Sequence, residues 1–247
     1  MNGSLKGRTG SRNTPLVPWL AAATAAGILL AIGPAVAAQR VSLRSEDGVA
    51  LTATWYEPSV RPAPAVVLVH MLQRSRRDWD LLASRLAAGG IGALTLDLRG
   101  HGESLGSAQD HAAMVKDVTA ARRYLATRPD VDSSRIGFGG ASLGATLVAL
   151  AAGEDPTIRG VALLSPSLDY RGLRIEAAVR KLGSRPMLLV ASDDDAYAMR
   201  SARELQEGAV KSRELIILTS AGHGTIMLTR SPDLGFTLLD WFRRTLL

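Results

Sequence analysis

Two hydrophobic patterns follow each other along this chain of 247 residues. From residue 41 to 58, apolar and polar positions alternate on either side of Asp47-Gly48, a dipeptide that accepts the positive φ of a tight turn. This alternation predicts a β-hairpin. From residue 63 onward, continuous apolar runs are typical of strands buried on both faces. Six such runs are present, at 63–70, 91–98, 135–141, 159–167, 185–192 and 214–220.

The segments between these runs predict helices. Between residues 110 and 130, Met114, Val118, Ala121 and Leu125 lie on one helical face. Strands that alternate with helices form a mostly parallel sheet that is covered on both faces. The pattern therefore predicts a single α/β domain over 41–247, with about eight strands and no internal repeat. Further helices are predicted at 76–90, 142–153, 174–181, 197–208 and 232–246.

The first 38 residues differ from the rest of the chain. Three basic residues and no acid precede an uncharged stretch from Leu16 to Ala38, in which residues 35–37 read Ala-Val-Ala. A basic start, a short apolar core and a small-residue end are typical of a secretory signal peptide. The alternative is an uncleaved membrane anchor over 16–38, because this uncharged stretch is long enough to span a bilayer. We expect an exported protein, periplasmic or extracellular, or otherwise an anchored one.

Composition and charge exclude several classes of function. The chain has no cysteine, which excludes disulfides, thiolate zinc sites and a cysteine nucleophile. Its net charge is +6, but three of these charges lie in the N-terminal segment, and basic residues are not interleaved with aromatic ones as in nucleic-acid-binding proteins. The densest basic spot, Arg74, Arg76 and Arg77, is interpreted as a solvated loop or helix start, with anion binding as the alternative.

Two phosphate-binding motifs fit poorly at the glycine-rich turn after the run at 135–141. A dinucleotide-binding motif starting at Gly137 lacks its third glycine, and the next strand ends in Ser165 where an acid is needed. A P-loop starting at Gly139 has Ala145 in place of lysine, so the phosphates would lose their main neutralising contact.

A nucleophile motif fits the same turn without a gap. Gly140, Ser142 and Gly144 match G-x-S-x-G between a buried strand and a helix. At a sharp, strained turn, side chains two positions before and after the serine would collide with the neighbouring strand and helix, and glycine avoids this. The serine hydroxyl would project from the carboxyl edge of the sheet, where the helix N-terminus favours developing negative charge.

This turn, together with "VLVHMLQRSRRDW" and "DLRGHGES" before it and "LLVASDDDAYA" and "TSAGHGT" after it, resembles the α/β-hydrolase fold family. The resemblance covers residues 41–247. The most similar group is that of the compact bacterial esterases and dienelactone-hydrolase-like enzymes, which have little or no lid. The resemblance implies a serine nucleophile, a histidine base and an acid in the chain order Ser…Asp…His.

The resemblance implies Ser142 as nucleophile and His223, which follows the last strand between two glycines, as base. Asp195 is the expected acid, with Asp194 next and Asp169 as an outside candidate. Two of the three acids Asp193, Asp194 and Asp195 are expected to lie in a solvated loop. The remaining histidines are His70 and His101, expected in structural or loop roles, and His111, expected at the surface.

Two backbone N–H groups are needed to bind the oxyanion of an acyl-transfer intermediate. The resemblance implies Leu143, directly after the nucleophile, and Leu72, two residues after His70. Met71 stands where the family commonly has glycine, which leaves the geometry of this loop open. Trp79 and Met227 are interpreted as core residues, with pocket walls as the alternative.

The sequence thus predicts an esterase-type serine hydrolase that acts on small or short-acyl substrates without a cofactor or metal. The alternatives are a peptidase or amidase with the same triad, and a catalytically silent binding protein of the cell envelope. The expected partner is a small-molecule ester, with no nucleic acid, and with membrane contact only through an uncleaved N-terminal segment. The connection between residues 166 and 185 is the only room for a lid, and it is short.

Overall fold

The computed structural model describes residues 36–207 and 212–247, together with residues 1 and 3. The predicted signal peptide or anchor over 1–38 lies outside the described residues, apart from residues 1, 3 and 36–38. Within the described part of the chain, no helix is long and apolar enough to cross a bilayer.

An eight-stranded sheet forms the centre of the fold. Its strands are β1 (Ala38–Arg44), β2 (Ala50–Tyr56), β3 (Ala63–Val69), β4 (Gly92–Leu96), β5 (Val131–Ala141), β6 (Val161–Leu164), β9 (Met187–Ser192) and β10 (Arg213–Leu218). They lie in the order β1-β2-β4-β3-β5-β6-β9-β10. The last six in this order are parallel to one another, whereas β2 pairs antiparallel with both β1 and β4. The predicted mostly parallel sheet with an opening hairpin is confirmed.

The described residues form seven α-helices. They are α1 (Asp80–Ala88), α2 (Met114–Ala126), α3 (Leu143–Glu154), α4 (Glu176–Leu182), α5 (Ala196–Glu207), α6 (Ile226–Arg230) and α7 (Asp233–Leu246). The apolar sides of α2 to α5 pack into one hydrophobic core, and those of α1 and α7 pack into a second one. The periodicity did not predict α6, because a helix of five residues is too short to show a repeat.

The connection between β6 and β9 holds a small hairpin and one helix. The hairpin pairs β7 (Asp169–Tyr170) with β8 (Leu173–Arg174), and α4 follows it. Ala178 of α4 lies so close to α3 that a Cβ added to Gly153 would come within 2.7 Å of its Cβ. Helix α4 is therefore part of the packed layer, and Tyr170 and Leu173 of the hairpin pack, partly buried, against the same core.

The buried positions agree with the interpretation of Trp79 and Met227 as core residues. Trp79 is 1% exposed and Met227 is fully buried, both in the core formed with α1 and α7. Residues Arg76–Trp79 form a 3-10 turn, so the regular helix α1 begins at Asp80, four residues later than the predicted 76.

Candidate active site

The turn between β5 and α3 is strained at Ser142. This residue has φ +52° and ψ −114°, a conformation that non-glycine residues rarely adopt. Its backbone N–H donates to the carbonyl of Leu164 at 2.8 Å, which holds the turn against β6. Positive φ recurs at Gln73, Ser165 and Ser220, in the loops that follow β3, β6 and β10. Backbone strain is thus concentrated at the carboxyl edge of the sheet, as is typical of functional sites.

The structure gives the steric reason for the glycines on both sides of Ser142. A Cβ on Gly140 would overlap the carbonyl oxygen of Gly144. A Cβ on Gly144 would overlap the carbonyl oxygen of Val69 and lie 2.6 Å from that of His70. Both obstacles are backbone atoms that cannot rotate away, so any side chain at these positions would force α3 away from the sheet.

His223 and Asp195 meet at the same edge of the sheet. Nδ1 of His223 lies 2.6 Å from Oδ2 of Asp195, a short hydrogen bond in which the ring N–H donates to the carboxylate. The other carboxylate oxygen accepts the N–H of Ala198 at 3.2 Å, in the first turn of α5. Asp195 is thereby fixed at both oxygens, while the histidine side chain is 47% exposed.

The two preceding acids hold the histidine loop from the same turn. Asp193 accepts the N–H of Ser220 at 2.7 Å, and Asp194 accepts the N–H of Gly222 at 3.0 Å. The hydroxyl of Ser192 and the N–H of Gly222 lower the pKa of Asp194. Both acids are exposed in a loop, as predicted for two of the three, and their side chains also tie the loop after β9 to the loop after β10.

The other acid and histidine candidates have different partners. Asp169 accepts the N–H of Gly172 at 2.6 Å and pairs with Arg174 at 2.9 Å within the β7–β8 hairpin. The ring of His111 stands edge-on to that of Tyr170, with 5.6 Å between centroids. Neither residue bonds to His223 in the described part of the chain.

His70 is a buried structural residue beneath the loop after β3. Its Nε2 accepts the N–H of Leu98 at 3.1 Å, so Nδ1 carries the proton and donates to the carbonyl of Met71 at 2.7 Å. Burial lowers the pKa of His70 to about 4, which keeps the ring neutral at physiological pH. His101 packs against it at 5.2 Å, and its Nδ1 lies 3.0 Å from the carbonyl of Arg99.

The two predicted oxyanion donors lie at the starts of α3 and of the loop after β3. Leu143 is the first residue of α3, so its N–H has no acceptor within the helix. The N–H of Leu72 has no hydrogen-bond partner among the described residues. Met71, at the position of the family's usual glycine, points its thioether at Gly224, where an added Cβ would overlap Sδ.

Buried ion pairs fix the loops after β3 and β4. Asp97 is fully buried and accepts the N–H of Arg76 at 2.7 Å and that of Glu103 at 2.9 Å. It also pairs with the Arg76 guanidinium, which bonds Glu103 at 2.7 Å. Arg76 is only 6% exposed, so the interpretation of this residue as solvated is wrong: its charge is neutralised inside the protein.

Ser165 and Ser192 are site residues that the sequence did not reveal. The hydroxyl of Ser165 accepts the N–H of Gly224 at 2.9 Å, and that of Ser192 accepts the N–H of Ala221 at 2.8 Å. Both serines are nearly or fully buried directly at or after a strand end. A serine at a strand end gives no pattern of its own, but its place at the carboxyl edge of the sheet is a usable signal.

No hydrogen bond joins Ser142 to His223 in the described structure. Such bonds are often long in ligand-free enzymes and tighten only with substrate. The two residues are linked through the end of β6. The N–H of Ser142 donates to the carbonyl of Leu164, and the hydroxyl of the next residue, Ser165, accepts the N–H of Gly224.

The family model Hydrolase_4, described as serine aminopeptidase, S33, matches residues 60–185, about half of the chain. This chain belongs to that family. The matched segment of this S33-family hydrolase includes the loop with Leu72 and the turn with Ser142, whereas Asp195 and His223 follow it. Its fold is that of the α/β-hydrolases, as the sequence predicted.

Relatives of known sequence include an uncharacterized protein of Mycobacterium tuberculosis, 29% identical over 232 residues, which cover 85% of this chain and 79% of that protein. A polyketide transferase of Penicillium crustosum is 32% identical over 51% of this chain and 35% of its own length. A thiohydrolase of Arthrinium phaeospermum is 32% identical over 52% of this chain and 43% of its own.

Solved structures share the fold at lower identity. A dienelactone hydrolase of Anabaena variabilis superposes with a TM-score of 0.71 at 22% identity, covering 86% of this chain and 100% of its own. A Pyrococcus furiosus esterase gives 0.70 at 18% identity, covering 86% and 92%. The family model supports a hydrolase, and these structures support the α/β-hydrolase fold.

Proposed function

We propose that this hydrolase cleaves ester bonds of small or short-acyl substrates through a triad of Ser142, His223 and Asp195 and an acyl-enzyme. The observation that carries the proposal is the 2.6 Å bond between His223 Nδ1 and Asp195 Oδ2, at the sheet edge where Ser142 occupies its strained turn. A carboxylate on Nδ1 leaves Nε2 unprotonated and free to act as a base.

The first half of the reaction forms the acyl-enzyme. Ser142 Oγ attacks the ester carbonyl carbon as its proton passes to His223 Nε2, and the carbonyl π electrons move onto oxygen. The N–H groups of Leu143 and Leu72 donate to this oxyanion. The intermediate then collapses, the bond to the alcohol oxygen breaks, and His223 protonates the leaving alcohol. Asp195 stabilises the transient imidazolium without taking its proton.

The second half repeats these steps with water. His223 removes a proton from water, the hydroxide attacks the acyl carbon, and the bond to Ser142 Oγ breaks as the proton returns to serine. The acid leaves and the enzyme is restored. Every group required is an amino-acid side chain or backbone amide.

The size of the substrate follows from the short connection between β6 and β9. Because α4 is packed onto α3, the hairpin of β7 and β8 is the one part of this connection that is available to cover an acyl chain. A deep apolar tunnel needs more chain than this. We therefore favour short acyl groups over long ones.

A Ser-His-Asp triad can also cleave amides and thioesters. A binding protein on this scaffold would cleave none of these bonds, esters included. The similarity to a thiohydrolase makes thioesters the second candidate. Kinetics on matched p-nitrophenyl ester, p-nitroanilide and thioester substrates separate these activities. We expect the ester to have the highest kcat/KM.

A fluorophosphonate probe tests the proposal directly, because it bonds only to an activated serine. We expect the wild-type protein to be labelled and Ser142→Ala to be neither labelled nor active while retaining its thermal midpoint. His223→Ala should lose activity to a similar extent, and the double variant should lose little more, because the residues act as a unit. An unlabelled wild-type protein would favour the binding-protein alternative.

Export remains part of the proposal. The carbonyl of Ala37 accepts the N–H of Glu57 at 2.9 Å, and β1 begins at Ala38. Cleavage after Ala37 would leave the whole of β1 on the mature chain. Intact-mass measurement of the native protein should therefore give a chain that starts near Ala38, whereas a retained Met1 in the membrane fraction would support the anchor.

A further inference from the structure

Ser165 occupies a position for which glycine would be the easier residue. It follows β6 with φ +48° and is 1% exposed. Glycine adopts positive φ at no steric cost, whereas a residue with Cβ is strained there. A strained serine in a buried site indicates that its hydroxyl contributes something that glycine cannot.

The Ser165 hydroxyl binds the backbone beside the proposed base. Its Oγ accepts the N–H of Gly224 at 2.9 Å, and Gly224 directly follows His223. The histidine has glycine on both sides, at φ +81° for Gly222 and +62° for Gly224. Glycines give a backbone wide conformational freedom, so this loop needs external contacts to hold one conformation.

Contacts on the N-terminal side of His223 come from the loop after β9. The side chains there bind the N–H groups of Ser220, Ala221 and Gly222. On the C-terminal side, Ser165 binds the first N–H after the histidine. Gly224 is also covered by the Met71 thioether, which leaves no space for a Cβ. The backbone of Gly224 is therefore held by the Ser165 hydroxyl at its N–H and by the Met71 thioether against its α-carbon.

Ser165 is also adjacent to the proposed nucleophile. Ala141 pairs with Leu164 across β5 and β6, and the N–H of Ser142 donates to the Leu164 carbonyl at 2.8 Å. Residues 164–165 therefore contact the nucleophile turn through the Leu164 carbonyl and the histidine loop through the Ser165 hydroxyl.

We propose that Ser165 is a positioning residue that sets the distance between His223 and Ser142 through the backbone of Gly224. The inference rests on the proposed triad and adds a residue to it. Asp195 fixes the ring nitrogen of the histidine, and Ser165 fixes the loop that carries the ring. Loss of either bond would move Nε2 relative to Ser142 Oγ, and rates of this chemistry depend steeply on such distances.

Ser165→Ala and Ser165→Gly test the hydroxyl, with Ser167→Ala as the matched control. Ser167 is a buried serine of the same connection whose hydroxyl bonds Asp169 and Tyr197 instead of the histidine loop. We expect both Ser165 variants to lower kcat for p-nitrophenyl acetate and the rate of fluorophosphonate labelling about tenfold, with KM changed less than twofold. Ser167→Ala should keep the wild-type rates.

Two readouts separate positioning from a general structural role. Ser165→Gly relieves the positive φ, so it should unfold at a temperature no lower than Ser165→Ala and yet lose the same activity. In a His223→Ala background, Ser165→Ala should cost less than twofold in residual activity, because its effect passes through the histidine. Wild-type rates in both Ser165 variants, or a full tenfold loss that persists without His223, would overturn the inference.

The nucleophile variant keeps this test separate from that of the proposed function. If Ser142→Ala retains activity and labelling, the triad itself is wrong. If Ser142→Ala is inactive and the Ser165 variants match Ser167→Ala, the triad stands and the positioning role is wrong.

Discussion

At the scale of single residues, three consecutive aspartates have two different tasks. Asp193 and Asp194 each accept a backbone N–H of the histidine loop, and only Asp195 accepts from the ring of His223. A carboxylate that merely accepts a backbone N–H can be replaced by an amide oxygen. One that sets the tautomer of a histidine cannot, because the amide NH₂ would select the wrong tautomer.

We therefore predict that Asp195→Asn lowers kcat by orders of magnitude, whereas Asp193→Asn changes it less than about threefold. Steady-state hydrolysis of p-nitrophenyl acetate measures both. The reverse ranking would assign the role of the acid to Asp193. A large loss in Asp194→Asn with little change in Asp195→Asn would assign it to Asp194.

His70 gives the stability of the protein a dependence on acid pH. The ordinary pKa of histidine is 6.5, and burial lowers that of His70 to about 4. Between these values the unfolded chain binds a proton that the folded protein does not. The contribution of His70 is thus fully present above pH 6.5 and is lost as the pH falls toward 4, by about 3 kcal/mol in all.

We predict that the free energy of unfolding falls more steeply between pH 7 and 5 in the wild type than in His70→Asn. The variant should be less stable at pH 7, since asparagine fits the bonds to Leu98 and Met71 less well. Urea unfolding of both proteins at the two pH values measures this difference. Equal losses in the two proteins would contradict a neutral buried His70.

At the scale of elements, the contact of α3 with the end of β3 depends on the absence of one side chain. Helix α3 begins directly after Ser142, and Gly144 lies against the last carbonyl groups of β3 and its loop. This contact sets the position of Leu143, the first proposed oxyanion donor, relative to Leu72, the second. Close backbone approach thus links helix packing to the geometry of the site.

We predict that Gly144→Ala lowers the free energy of unfolding by about 2 kcal/mol or more and abolishes fluorophosphonate labelling. Gly137→Ala, in β5, is the control, because its added Cβ would meet its nearest neighbours at an ordinary 3.4 Å. That variant should label like the wild type. An active, fully stable Gly144→Ala protein would show that α3 can shift away from β3 at no cost, which would contradict this prediction.

At the scale of the whole molecule, the arrangement of the layers bears on the size of the acyl group that we propose for the substrate. Helix α4 is committed to packing with α3, so a long acyl chain would leave much of its surface in water. Each methylene that stays unburied forgoes about 0.8 kcal/mol.

We predict that kcat/KM on p-nitrophenyl esters is highest from acetate to butyrate and has fallen by octanoate. Activity should not jump when the substrate concentration passes its solubility limit, because the small hairpin of β7 and β8 is not a large lid that opens at an interface. A maximum at dodecanoate or longer, or clear interfacial activation, would show that another surface supplies the acyl pocket.

The sequence by itself determined the class and order of the fold. Continuous apolar runs that alternate with helical segments predicted the parallel sheet, and the apolar face of α2 predicted which side of that helix is buried. The last run, expected to be buried on both faces, instead forms the half-exposed edge strand β10. The G-x-S-x-G motif located the strained turn. Gly140 is required by the backbone of the turn itself, whereas Gly144 is required by the carbonyl groups of Val69 and His70.

Only the tertiary structure decided how the loops of the site are held. The bonds from Asp193, Asp194 and Ser165 to the histidine loop join residues 27 to 59 positions apart. The sequence likewise predicts Arg76 to be solvated, and only the fold brings it into an ion pair with buried Asp97. Periodicity reports which way each residue faces within its own element, whereas these partners come together only when parallel strands from distant parts of the chain end at one edge of the sheet.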